Sequence, residues 1–150
     1  MCNNNQNESN CIAEILNVIN ILQHNASPEN AVESCDKPTL GGGNSCLICN
    51  TRPVMLYTCC ANGVPFSMPT SKDVMSCSNA EDLVRPDDTS SIFRVEKVDG
   101  NCCTFRVLAP NPDFSGRNRS PFISTNSFFT FDLKCCCAIR CLSDCFVDCI

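Results

Sequence analysis

The chain repeatedly sets cysteines side by side, at Cys59-Cys60, Cys102-Cys103 and Cys135-Cys136-Cys137. Successive side chains on an extended strand point to opposite faces, so a vicinal pair there directs one thiol toward the core and one toward solvent. Such a strand delivers sulfur to the molecular surface, where another molecule can bond to it. With 16 cysteines in 150 residues, usage reaches the level of a disulfide framework. Yet 150 residues can bury the core of one domain, so cross-links are not needed merely to fold. Nine Phe and a 43% apolar fraction are enough to fill that core.

Charge narrows the functional classes. A net charge of −5 argues against a nucleic-acid surface, which needs clustered Lys and Arg to neutralise phosphate. Arg117 and Arg119 form the one concentrated positive spot, and they read as solvated loop charges. No stretch approaches the roughly 18 apolar residues of a membrane span. Residues 1–10 read as a disordered, asparagine-rich arm, without the charged and apolar regions of a signal peptide. Synthesis in a cytosol is therefore expected, and there abundant cysteine ordinarily points to metal or catalysis.

Apolar Ile12, Ile15, Leu16, Ile19 and Leu22 recur at helical spacing, which predicts an amphipathic helix over residues 11–23. Ser9 or Asn10 supplies an N-cap, and Ser27-Pro28 stops the helix. Residues 25–50 read as an irregular connection, and Gly41-Gly42-Gly43 lacks the Gly-Lys-Ser/Thr of a phosphate loop. Beyond it the pattern is β. One hairpin is expected from Val54–Cys60 through Ala61-Asn62-Gly63 to Val64–Met68, its second arm at an edge because of Pro65. A second is expected from Ser91–Val98 through Asp99-Gly100-Asn101 to Cys102–Leu108, with Phe93 and Val95 on one face and Cys103, Phe105 and Val107 on one face. A last strand runs from Ser127 through Leu133 toward the cysteine cluster, and Pro69–Ser90 and Ala109–Phe122 read as loops. The whole predicts one mainly β domain, a β-sandwich or partly open barrel with an N-terminal amphipathic helix. Its β part spans about residues 51–142, with a cysteine-rich tail at 143–150.

Continued alternation past Phe129, Phe131 and Leu133 puts Cys135 and Cys137 inward and Cys136 outward; the same rule puts Cys103 inward and Cys102 outward. Cys141, Cys145 and Cys149 fit either one side of a helix or an extended tail. Sixteen cysteines allow about two million complete pairings, so connectivity is not readable. The cross-link candidates are Cys11, Cys35, Cys46, Cys49, Cys59, Cys60, Cys77, Cys102, Cys103, Cys135, Cys136, Cys137, Cys141, Cys145 and Cys149. Cys102, Cys136 and the tail cysteines lead among them as intersubunit thiols.

Zinc is the rival chemistry. Cys46-Leu47-Ile48-Cys49 has C-x2-C spacing, and Cys137 with Cys141 or Cys145 could complete a tetrahedral thiolate set, giving a zinc-stabilised cytosolic binding module as the alternative reading. There is no second C-x2-C at ribbon spacing and no partnering histidine. A thioredoxin-like role needs a helix after the pair, and Asn50-Thr51-Arg52-Pro53 follows instead. His24, the one histidine, ends the helix, where it reads as a dipole partner and not a general base. Glu81-Asp82 and Asp87-Asp88 read as solvated loop charges. No enzyme, cofactor or metal site is expected.

Three segments carry a resemblance: Asn50–Thr58 with Gly63–Phe66; Ile92–Asp99 with Arg106–Leu108; and Asp132–Leu142. Together they resemble the cysteine-rich spore-coat and exosporium proteins of endospore-forming bacteria, the CotY, CotZ and ExsY group. The resemblance implies a structural protein that self-assembles, through hexameric rings, into two-dimensional hexagonal sheets hardened by intersubunit disulfides. It implies partners that are further copies of the chain and other coat or exosporium proteins, with neither nucleic acid nor membrane involved. It also implies synthesis in the reducing mother-cell cytoplasm and a final place on the spore surface, in the crust or exosporium. The family's common cysteines correspond to Cys135, Cys137, Cys141 and Cys103, whereas Cys136, Cys59-Cys60, Cys145 and Cys149 are additions.

Overall fold

In a computed structural model, residues 10–25, 49–73, 88–115 and 120–150 are described. Helix α1 (Cys11–Asn25) opens on Asn10, whose side-chain oxygen accepts from the N–H groups of Ile12 at 3.0 Å and Ala13 at 3.4 Å. That satisfies donors that a first helical turn leaves unpaired. Ile12, Leu16 and Ile19 bury one face of α1.

The strands are β1 (Val54–Thr58), β2 (Met68–Pro69), β3 (Thr89–Ser90), β4 (Ile92–Asp99), β5 (Cys102–Pro110), β6 (Phe122–Asp132) and β7 (Cys136–Cys141). Five form an antiparallel sheet in the order β6-β5-β4-β1-β7, and β2 pairs with β3 in a small ribbon. Among the described residues the protein is mainly β with an N-terminal α-helix, as its sequence predicts. β6 and β7 stand at opposite edges, yet only the 3-10 turn Leu133–Cys135 joins them. Such a turn advances about 2 Å per residue, whereas four strand spacings in a flat sheet cover about 19 Å. The sheet must therefore curl until its edges converge at that end, although β6 and β7 do not pair and no barrel closes among the described residues.

The concave side holds the core. Phe93, Val95, Cys103, Phe105 and Val107 are fully buried there, in the phase that alternation predicts. Phe129 sits at the centre of a ring cluster, edge-on to Phe93 with centroids 4.8 Å apart and stacked on Phe105 at 5.3 Å. α1 crosses this side against β4 and β7. Between β1 and β4 the ladder is reduced to the single pair Val54–Phe93. Gln23 of α1 fills the splay, donating to the Val95 carbonyl at 2.8 Å and accepting from the Arg52 N–H at 3.0 Å. A polar side chain buried on the helix thus replaces missing ladder bonds.

Two expectations are corrected. The first hairpin does not form: after the turn at Asn62 and Gly63, both at positive φ, Val64–Met68 does not pair along β1. Pro65 has no N–H to donate, and only the Phe66 N–H reaches β1, at the Leu56 carbonyl. Phe66 instead inserts its ring beside Phe131 at 5.1 Å, and β1 pairs with β4 and β7. The last strand also starts earlier than expected, at Phe122. Residues 26–48 of the connection, residues 1–9 of the arm, residues 74–87 of the expected loop, and Arg117 and Arg119 lie outside the described residues.

Candidate functional site

At one pole sulfur is placed by four elements: the start of α1, the end of β1, the start of β5 and the turn into β7. At the end where β6 meets β7, the Cys59 N–H donates to the Cys135 carbonyl at 3.3 Å, and the Leu133 N–H donates to the Asn101 carbonyl at 2.8 Å. Cys102 pairs with Asp132 in register. The Asn10 side chain donates to the Leu133 carbonyl, which brings the start of α1 to the same end. Cys11, Cys59, Cys60, Cys102, Cys135 and Cys137 are therefore gathered at one pole of the sheet, and all six are exposed. A disulfide joins Cys59 to Cys137, 78 residues apart in sequence.

The 3-10 turn reverses one sequence expectation. Asp132 caps it by accepting from the Lys134 N–H at 3.0 Å, and residues three apart on such a turn eclipse each other. Leu133 points inward, so Cys136 follows it inward at 7% exposure, while Cys135 and Cys137 face out. Alternation held for Cys102, outward, and Cys103, inward.

Cys49 and Cys141 lie at the opposite pole, where Cys141 pairs with Val54 and the chain turns back at residues 142–150. This tail is extended, not helical: Thr51 bridges Cys145, and the Asn50 side chain clamps Val147 by accepting its N–H and donating to its carbonyl, both at 2.9 Å. Val147 and Cys145 pack with Leu108 on the convex side of the sheet. Beneath them the buried Arg94 guanidinium donates to Thr51 Oγ1 and the Asn50 carbonyl and pairs with Glu96 at 3.0 Å. Burial lowers the pKa of Arg94, and Glu96 opposes that shift. Outside, Arg52 and Asp144 form a two-pronged ion pair at 2.7 and 2.9 Å, which holds the Asp144 carboxyl below its ordinary range. The Cys149 carbonyl accepts from Arg106, and its thiol is exposed. Of the tail cysteines, Cys145 is thus enclosed and Cys149 is presented.

Burial also separates the thiols chemically. The Cys103 thiol is pushed up to about 12 and that of Cys145 to about 11, burial being the main cause in both, and Cys136 rises for the same reason. These three are poor nucleophiles, because the thiolate is the reactive form. Exposed and free are Cys11, Cys49, Cys60, Cys102, Cys135, Cys141 and Cys149. Cys35, Cys46 and Cys77 lie outside the described residues. Cys49 and Cys137, two members of the thiolate set considered for zinc, stand at opposite poles, and Cys137 is engaged in a disulfide. Among the described residues no group of three His, Cys, Asp or Glu side chains is placed to hold a metal ion. The pocket beside Cys49, lined by Leu22, Gln23, Asn50 and Asp144, encloses about 50 Å³. That is well below the roughly 300 Å³ at which small-molecule sites begin.

Sequence reasoning missed the Cys59–Cys137 pairing and the Asn50 clamp. Neither leaves a local signal: the first depends on β1 lying beside β7, the second on a tail folded back across some 97 residues.

The outer face of α1 completes the surface. Ile15, Val18 and Leu22 are about half exposed and follow Cys11 at intervals of four, three and four residues. That spacing defines a second apolar stripe beside the buried one.

No solved structure matches the chain. A relative in Bacillus subtilis (strain 168), spore coat protein Z, is 30% identical over 151 residues, covering 92% of each chain. The family model for spore coat protein Z matches residues 1–121. On the length of that match and the agreement of the full-length relative, the chain belongs to the spore coat protein Z family.

Proposed function

We propose that this chain is a structural subunit of the spore coat that assembles with copies of itself into a two-dimensional, hexagonally ordered sheet, hardened by disulfides between subunits. Family membership supports the spore-coat role. The observation that carries the assembly reading is the placement of exposed thiols at both poles of one curled sheet, with a half-exposed apolar stripe along α1 between them that no described element covers. A subunit with contact patches on different sides makes head-to-tail contacts, and such contacts that do not close into a ring extend into an array. An open edge adds to this: β6 runs eleven residues with Asp132 as its one charge and without proline, and among the described residues no strand pairs along its outer side, where only Lys72 and Asp73 reach it, at Asn126. Non-covalent contacts set the geometry in the reducing mother cell, and disulfides lock it once the spore surface meets oxidising surroundings, in the crust or the exosporium.

The test is sedimentation of the full-length protein in reducing buffer, followed by electrophoresis without reductant after air oxidation. High-order species in the first and a ladder of covalent multimers in the second are expected. A monomer under both conditions refutes the reading.

A further inference from the structure

We propose that the Cys59–Cys137 disulfide is the electrophile through which one copy is covalently joined to the next, by thiol–disulfide exchange that consumes no oxidant. The inference rests on the assembly reading above and adds to it the site and chemistry of the covalent step. Both cysteines are exposed. The bond ties the end of the inner strand β1 to β7, an edge strand that no other described strand covers. Free, exposed thiols flank it on both sides: Cys60 is the next residue, and Cys135 belongs to the turn whose carbonyl accepts from the Cys59 N–H. An enclosed disulfide resists exchange, whereas an exposed one is open to an incoming thiolate. This disulfide is of the second kind, at the pole where six of the described cysteines gather.

The step balances without a redox partner. A thiolate from an exposed cysteine of a second copy, having lost its proton to water, attacks Cys137 Sγ. A sulfur–sulfur bond forms between the two chains as the Cys59–Cys137 bond breaks, and Cys59 leaves as a thiolate that takes a proton from water. One disulfide and the same number of thiols stand on each side, so an intrachain bond becomes an interchain one with no electrons gained or lost. Cys103, Cys136 and Cys145, buried and hard to ionise, cannot serve as attackers. Cys137 is the preferred point of attack because it lies on the outer strand and Cys59 follows an inner one.

The experiment uses the full-length protein carrying this disulfide, held without oxygen and with a chelator, sampled over hours and quenched with N-ethylmaleimide. Covalent multimers are expected to accumulate while the number of titratable thiols per chain stays constant, and peptide mapping should find Cys137 bonded to a second chain. The double variant C59S/C137S is expected to form multimers at least roughly tenfold more slowly under these conditions, because its exchangeable bond is gone. It should still cross-link when diamide supplies an oxidant, which shows that it folds and assembles. Thiols lost in step with cross-links, or equal anaerobic rates in variant and wild type, overturn the proposal. If the variant fails to fold, the constancy of the wild-type thiol count decides alone. Wild-type sheets that form non-covalently but never cross-link anaerobically overturn this step and leave the assembly reading standing, whereas absence of any sheet removes both.

Discussion

Replacing Ile15 and Val18 together by Gln tests the proposed assembly separately from folding. Ile15 is 45% and Val18 55% exposed on the outer face of α1, so neither contributes its full apolar surface to the subunit's own core. Complete burial of such a side chain is worth about 1.5–3 kcal/mol, and about half of that remains to be gained on contact with another copy. The two residues together then contribute about 2 kcal/mol to each contact, or about 30-fold in its dissociation constant. Helix propensity does not oppose the change, since Gln is at least as good a helix former as Ile or Val, so thermal stability should hold. The assay is sedimentation velocity across a dilution series in reducing buffer, with thermal unfolding measured beside it. A critical concentration about 30-fold higher at unchanged melting temperature is expected. Unchanged assembly would refute the assignment of this stripe to a subunit contact, and a fall in melting temperature would place both residues in the subunit's own core.

Other perturbations probe the site from different sides. Asn50→Ala leaves the N–H and carbonyl of Val147 unpaired beside a buried arginine; it should cost about 2–4 kcal/mol in denaturant unfolding and expose Cys145 to alkylation. Brief alkylation of the native, reduced protein should label Cys60, Cys102, Cys135, Cys141 and Cys149 well before Cys103, Cys136 and Cys145, as read by peptide mass spectrometry; equal labelling would contradict the burial pattern. Burial holds the Cys103 thiol protonated up to about 12, while the unfolded chain releases that proton near pH 8.5. The unfolded state therefore binds fewer protons between these values, and stability should fall as pH rises through them, by up to about 5 kcal/mol. Cys103→Val should flatten that slope; an unchanged slope would assign it to other groups.

What the sequence made legible was whatever depends on local period. The 3.6-residue pattern gave α1, and Asn10 was available as its cap. Two-residue alternation placed Phe93, Val95, Cys103, Phe105 and Val107 on the inner face because the β4–β5 hairpin closes on a short turn, with Gly100 at positive φ. The same rule failed past Phe131, since a single 3-10 turn replaces a period of two by a period of three and carries Cys136 inside. Val64–Met68 looked like a hairpin arm, but Pro65 removed a ladder donor and the ring of Phe66 gained more by joining the phenylalanine cluster. The curl of the sheet, the two poles of sulfur and the Cys59–Cys137 bond are consequences of strand order. Order is set by contacts between segments far apart in the chain, which periodicity does not encode.

The central claim is that order precedes covalent bonding: subunits find their lattice positions through surfaces on the folded domain and are cross-linked afterwards. Electron microscopy of the full-length protein, purified and kept in reductant throughout, tests it most directly. Two-dimensional sheets with a regular repeat are predicted in reductant, with the same repeat after oxidation and resistance to denaturant gained only then. Dispersed monomers in reductant, with irregular aggregates appearing on oxidation, would contradict it.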